Sequence, residues 1–270
     1  MPQVESAVYS HGHHASVIRN HSQRTAKNSM AFLLPHLKPS MKVLDLGCGP
    51  GSITTDLAEY VPEGHVVGLD RAVILDQARE LASSRGVTNI EFIDGDANEL
   101  PFESGTFDVC CCHQLLQHVG NPILVLEEMR RVVKPGGIIA AREADYSVFS
   151  WYPESRGLSE WQELYDRVAR HNGGEPNAGK FLHVWARKAG LSEIQCSVSN
   201  WCFSTDEEVR WWSDSWKDRA LHSSFATTAL EGGLAKMEDL ERVSEAWKQW
   251  GEDQDAWLSI PSAEILSFKK

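Results

Sequence analysis

Lys42-Val-Leu-Asp45-Leu-Gly47-Cys-Gly49-Pro-Gly51-Ser-Ile53 decides the reading of this 270-residue chain. Val43 to Leu46 is a short apolar run of the kind that forms a buried parallel strand. It runs into three glycines at alternate positions, and behind them Ile53, Leu57 and Tyr60 recur at helical spacing. Pro50 and Gly51 fall where the first helical turn begins, a place that tolerates proline because its N–H would have no partner there. Strand, glycine turn and helix make a cradle for a nucleotide-type ligand. Glycine permits close approach and positive φ, and a helix N-terminus presents free N–H donors. An ordinary strand–helix turn has the same local pattern, so the rest of the chain has to decide.

Working outward, His65-Val-Val-Gly-Leu-Asp70 predicts a second strand that ends in an acid. Ile74, Ala78, Leu81 and Ala82 predict a helix that stops near Gly86. A third strand, Ile90–Ile93, runs into Asp94-Gly95-Asp96-Ala97, and Phe107–Cys112 predicts a fourth. Asn121-Pro122 reads as an N-cap and first helical residue, with Pro135-Gly136-Gly137 closing that helix before a fifth strand, Ile138–Ala141. Strands alternating with helices predict an α/β class: a doubly wound, mostly parallel sheet. On the N-terminal side, Ser16 to Leu34 reads as a helix ended by Pro35 and Pro39. Beyond Asp145 helices are expected at Leu158–His171 and Ala178–Ala189, then a strand at Ile194–Phe203. Thr205-x-x-Glu208 is a capping box, and it opens a helix with Val209, Trp212, Trp216 and Ala220 on one face. The division predicted is an N-terminal covering segment (1–40), an α/β core (41–204), a helical cap (205–252) and a closing strand (253–270) whose residues are interrupted by Pro261.

The formal net charge is −12, which argues against nucleic acid as partner, since that would want a basic patch. No apolar run approaches membrane-spanning length and no signal-peptide core is present, so a soluble, cytoplasmic protein is expected. Cys110, Cys111 and Cys112 are consecutive and no Cys-x-x-Cys occurs, so they read as small buried core residues in a reducing compartment. His11-Gly-His13-His14 suggests a metal tract, but no second cluster supports it and no metal is expected. A homodimer stays open.

Asp45, Asp70 and Asp96 stand at or near the ends of three successive strands, where open α/β sheets bind ligands. Asp70 is placed for a ribose diol, and Asp96 with Ala97 for adenine. Each acid taken singly also suits a helix N-cap. The glycines are spaced G-x-G-x-G and no second glycine turn follows, against a nicotinamide cofactor.

Asp45-Leu-Gly-Cys-Gly-Pro-Gly51, Asp70, Gly95-Asp96-Ala97, Pro101-Phe-Glu-Ser-Gly-Thr-Phe-Asp108, Leu115-Leu-Gln-His118-Val and Arg131-Val-Val-Lys-Pro-Gly-Gly137 together resemble the class I S-adenosylmethionine-dependent methyltransferases. The likeness is to the small-molecule branch typified by the ubiquinone/menaquinone-biosynthesis enzymes, and it covers residues 40–145. It implies a seven-stranded sheet of order 3-2-1-4-5-7-6 with the last strand antiparallel. The resemblance implies that Gly47, Cys48 and Gly49 approach the methionine portion of the cofactor and that Asp45 bonds its ammonium. It gives Asp70 the ribose, with Arg71 beside it, and gives Asp96 and Ala97 the adenine. His113 and Gln114 would flank the methionine moiety and face the acceptor, a small molecule. Tyr9-Ser-His-Gly-His-His14 resembles a segment that folds over the cofactor. Candidate bases are His118, Tyr9 and His14. Trp211, Trp212 and Trp216 in the cap either line an apolar pocket or pin the cap; Tyr146 and Trp151-Tyr152 are placed to border the acceptor. A protein that binds the cofactor yet catalyses a non-methylating reaction, such as cyclisation, is the alternative.

Overall fold

The computed structural model describes residues 24–270. In chain order the elements are α1 (Ala26–Ser29), β1 (Lys42–Leu46), α2 (Ser52–Tyr60), β2 (His65–Asp70), α3 (Ala72–Ser84), β3 (Ile90–Asp94), β4 (Phe107–His113), α4 (Pro122–Val132) and β5 (Val133–Ala144). There follow β6 (Ser150–Tyr152), α5 (Arg156–His171), α6 (Ala178–Lys188), β7 (Gln195–Phe203), α7 (Asp206–His222), α8 (Ser224–Glu231), α9 (Met237–Glu252) and β8 (Trp257–Phe268).

Among the described residues one sheet holds every strand, in the order β3-β2-β1-β4-β5-β8, with β7 along the far edge of β8 and β6 beside its first residues. The first five strands are parallel; β8 runs antiparallel to β5, β6 and β7. This is the anticipated doubly wound sheet with one correction: it has eight strands, because Ser150–Tyr152 adds a short pairing to β8. Successive residues point to opposite faces. Leu44, Leu46, Cys110 and Cys112 therefore join the core under α4 and α6, while Val43, Val109 and Cys111 join the one under α1 and α2. The three cysteines are fully buried.

Four local expectations need correction. The helix at the glycine turn begins at Ser52, with Gly51 before it at φ 79°, so Pro50 belongs to the turn. Pro135-Gly136-Gly137 does not close α4; it lies inside β5, where Gly136 and Gly137 exchange backbone hydrogen bonds with Lys269. Pro261 does not interrupt β8. It lies between Ser262, paired to the end of β5, and Ser259, paired to the start of β6, so its missing N–H leaves no hole in either ladder. The described part of the expected 16–34 helix is a single turn, and Pro35 lies within a 3-10 turn over Leu34–His36. Asp56 of α2 accepts the Ala26 amide at 2.8 Å, and Met30 and Leu33 are buried against the sheet, so packing bends the chain there.

Helices α7, α8 and α9, with α5, form a separate apolar cluster around Trp161, Trp216 and Trp247, all fully buried. The Trp161 ring meets Trp216 at 4.7 Å and Trp247 at 4.8 Å, both edge to face, the arrangement ring quadrupoles favour. Among the described residues no helix is long and apolar enough to cross a membrane.

Candidate functional site

The glycine turn after β1 is held by its neighbour strand. Gly47 and Cys48 donate to the Leu69 carbonyl, and the Gly49 amide donates to Asp70 Oδ2 at 2.7 Å. Gly47 has φ 69° and Gly49 φ 54°, the left-handed region that favours glycine. A Cβ on Gly47 would stand 3.0 Å from Leu115 Cδ1, so the loop after β4 closes directly over the turn. Asp70 also accepts the Arg71 amide at 2.7 Å.

Asp45 points to the face of β1 that carries Cys111 and α2. It is buried, accepts from the Thr54 hydroxyl at 2.7 Å and takes a weak contact from Cys111 Sγ. Burial pushes its pKa up to about 7, with the Asp70 charge in the same sense and the Thr54 bond opposing. Asp96 is half-exposed at the mouth of β3. Burial raises its pKa, but the Asn98 amide and side chain and Arg71 Nη2 (3.0 Å) outweigh this and hold it below its ordinary value. Ala97 packs against the core under α4. Asp45, Asp70, Arg71, Asp96 and the glycine turn thus share the carboxyl edge of β1, β2 and β3.

The edge continues past β4. His113 sits opposite Arg142 in the register, Arg142 opposite Glu264, and Glu264 opposite Ser197, a polar rung across four strands. Arg142 is fully buried, donates Nη1 to His113 Nε2 at 2.8 Å and Nε to Ser199 Oγ at 2.9 Å, and lies over the Trp201 ring at 4.6 Å. Guanidinium only donates, so His113 Nε2 accepts and the ring proton is on Nδ1. Burial, then the charges of Arg24 and Arg142, push the His113 pKa well down, consistent with a neutral ring. Its Nδ1 finds no acceptor among the described residues. Gln114 follows at φ 51°, a left-handed conformation uncommon outside glycine and a form of strain found at functional sites. Its side chain accepts from Arg24 Nη2 at 2.7 Å. Glu143 fixes the loop beyond: its carboxylate accepts the amides of Leu115, Leu116 and Gln117. Burial raises its pKa to about 7 despite those bonds.

A cavity of about 440 Å³ opens beside Gln114, between the sheet edge and α7, bounded also by Arg24, Tyr146, Trp201, Phe203, Trp211, Trp212 and Arg219. Its size is within the roughly 300–1,000 Å³ of small-molecule sites. Tyr146, Trp211 and Trp212 are where an acceptor would meet them. Trp151 and Tyr152 are not part of the cavity wall; the Tyr152 ring is exposed and its carbonyl receives Trp250 Nε1. Trp216 is core.

His118 does not suit the role of base. Its Nε2 is 3.0 Å from Gln117 Nε2, and burial followed by the Arg24 charge takes its pKa to about 3. A nitrogen basic only near pH 3 removes few protons at neutral pH. Tyr9 and His14 lie outside the described residues. Sequence reasoning missed Arg24, Arg142, Glu143, Trp201 and Arg219. Arg142-Glu143 had a signal, a charged pair closing an apolar strand like Asp45 and Asp70; the others are joined to the site by long-range folding only.

A family model described as a methyltransferase domain matches residues 37–214. An uncharacterized methyltransferase of Schizosaccharomyces pombe is 34% identical over 277 residues, covering 99% of this chain and 98% of the relative. A demethylmenaquinone methyltransferase of Listeria welshimeri is 39% identical over 205 residues, covering 71% and 81%. The crystal structure of the YcgJ protein of Bacillus subtilis shares the fold, with TM-score 0.60 at 19% identity over 90% of this chain and 99% of that one.

Proposed function

Starting from the class I S-adenosylmethionine-dependent methyltransferases, the family to which this chain belongs, we propose that it methylates a small organic acceptor held in the cavity beside Gln114. The carrying observation is the juxtaposition of two half-sites on one sheet edge. One is a glycine turn with three carboxylates; the other is an aromatic-walled cavity, and Gln114 stands between them.

The residues present fit the adenosyl amino acid. Gly47 and Gly49 flank Cys48 in a left-handed turn that brings backbone to the sheet edge, and His113 Nδ1 is a buried donor with no acceptor among the described residues. In this reading Asp45 faces the ammonium, Asp70 with Arg71 holds the ribose diol, Asp96 and Ala97 border the adenine, and His113 and Gln114 border the methionine chain. When bound, the cofactor supplies an already activated methyl group. The chain's own work is to align the acceptor with that methyl and to exclude water, an entropic contribution worth about 7–11 kcal/mol when alignment is good. Most of the covering segment expected at 1–40 lies outside the described residues; in this reading the helices between β7 and β8 cap the acceptor.

Isothermal titration with S-adenosylhomocysteine tests the donor half. Asp70→Asn removes the charge facing the diol and leaves one side-chain oxygen where two accept the Gly49 and Arg71 amides; a charge-assisted bond is worth about 1.5–3 kcal/mol, so affinity should fall about 10–100-fold. Absence of binding by the unaltered protein refutes the proposal. Label from methyl-labelled cofactor entering an extracted small molecule completes it, and tight binding with no label transfer to any product favours the non-methylating alternative.

A further inference from the structure

His113 on β4, Arg142 on β5 and Glu264 on β8 form one rung of the sheet, and all three are buried. Residues paired across a ladder share a face. His113 lies two residues beyond Cys111, which is paired to Asp45. It therefore emerges on the face of Asp45, about 7 Å nearer the carboxyl edge at about 3.3 Å per residue. Glu264 Oε1 stands 3.6 Å from Arg142 Nε, and Glu264 Oε2 accepts from Ser197 Oγ at 2.6 Å. The buried guanidinium thus has its counter-charge on the side away from His113. On the near side Arg142 Nη1 donates to His113 Nε2 at 2.8 Å. The Trp201 ring covers both groups, 4.6 Å from the guanidinium and 5.5 Å from the imidazole. The Arg142 carbonyl also accepts the Gln114 amide at 2.8 Å, so one residue holds the corner after β4 through side chain and main chain. The Nε2 lone pair is used, the ring proton is on Nδ1, and that buried N–H has no acceptor among the described residues. Buried donors without a partner are rare, so a ligand that brings an acceptor to this one is favoured.

We propose that Arg142 is a positioning residue: it fixes the His113 proton on Nδ1, and that N–H reads the carboxylate at the amino-acid end of the cofactor. This rests on the methyltransferase reading above and adds a residue to it. Of the two polar groups at that end, the ammonium only donates and the carboxylate only accepts. Asp45 can partner the first and not the second. His113 Nδ1–H can partner the second and not the first. An imidazole carries its proton on either nitrogen, and the hydrogen bond made by one nitrogen decides the other. With the proton on Nε2, Nδ1 would turn a lone pair toward the carboxylate and repel it. A doubly protonated ring would set a second cation 2.8 Å from the guanidinium, which like-charge repulsion opposes. The bond from Arg142 leaves one arrangement, a neutral ring that donates from Nδ1. Arg142 does this through His113 and needs no contact with the cofactor.

The test uses the full chain with isotope-labelled histidine. Proton–nitrogen correlation spectra of the imidazoles show which ring nitrogen is protonated, and His113 is assigned by the signal lost in His113→Phe. At neutral pH without ligand the native protein should show His113 as the neutral Nδ1–H form. Isothermal titration then compares S-adenosylhomocysteine with its decarboxylated analogue, which keeps the adenosine, the sulfur and the ammonium. The native protein should bind S-adenosylhomocysteine about 10–100-fold more tightly than the analogue. In His113→Phe that ratio should fall to about threefold or less. Arg142→Lys keeps a donor and should retain the Nδ1–H form with part of the preference. Arg142→Met combined with Glu264→Gln leaves no buried charge alone and should lose both. A proton on Nε2 in the native protein overturns the proposal, as does equal native binding of the two ligands; neither result needs a variant to fold. So does a preference that survives in His113→Phe, or an Nδ1–H form and full preference that persist in the Arg142→Met, Glu264→Gln protein. Failure of S-adenosylhomocysteine itself to bind defeats the methyltransferase reading instead, so the two failures are distinguishable.

Discussion

Asp45 is the residue at which stability and function should pull in opposite directions. Its carboxyl is 3% exposed, and burial takes its pKa from an ordinary 3.8 to about 7. A carboxyl whose pKa is higher in the folded chain binds protons more readily there than in the unfolded chain. Its contribution to stability is therefore complete below about pH 4 and is lost as pH rises toward 7. Each pH unit in that window removes about 1.4 kcal/mol. Between pH 5 and pH 8, with the curve flat above 7, the loss is about 3 kcal/mol. Asn at this position keeps an oxygen for the Thr54 hydroxyl (2.7 Å in the native chain) and carries no charge. Asp45→Asn should therefore gain stability relative to the native protein as pH rises, by about 3 kcal/mol across pH 5 to 8.

The assay is urea unfolding of both proteins without cofactor at pH 5 and pH 8. Taking the difference between them cancels Glu143, whose pKa is also raised to about 7 and which titrates in both. The same variant should bind S-adenosylhomocysteine about 10–100-fold less tightly at pH 7, since the ammonium loses its charged partner. A stability difference that does not grow with pH would refute the burial argument. Unchanged ligand affinity would refute the placement of Asp45 against the ammonium.

Two other substitutions probe the frame around the site. Gly47→Ala places a side chain at φ 69° and 3.0 Å from Leu115 Cδ1; a loss of about 1–2 kcal/mol in urea unfolding and a weaker S-adenosylhomocysteine complex should follow, and native affinity would show that the turn does not meet the ligand. Trp216→Ala empties the centre of the cluster formed with Trp161 and Trp247; it should lower stability by about 3–5 kcal/mol, and a loss under 1 kcal/mol would mean that the cap helices are held elsewhere.

The donor half-site was legible because it is local. Asp45, Gly47 and Gly49 lie within five residues of one another, and Asp70 and Asp96 are fixed by the next two strand ends, so alternation of strand and helix was enough to bring them to one edge. The acceptor half-site was not. Arg24 reaches Gln114 across 90 residues, and Trp201 Nε1 donates to the Asn28 carbonyl across 173; no periodicity links positions that far apart. Arg219 belongs to a helix whose pattern announces only a buried face, and the same tryptophan stripe that suits a core also suits a cavity wall. Trp212 does both, while Trp216, four residues on, is core alone. Pro261 and Gly136-Gly137 misled for a related reason: their local signal says break, but the strand beside them decides. The consequence is chemical as well as diagnostic. The residues that would grip the cofactor belong to one continuous run of the sheet, whereas those around the acceptor come from the N-terminal segment, β7 and α7. Substitutions in α7 can therefore alter which acceptor is admitted without disturbing the glycine turn or its three carboxylates.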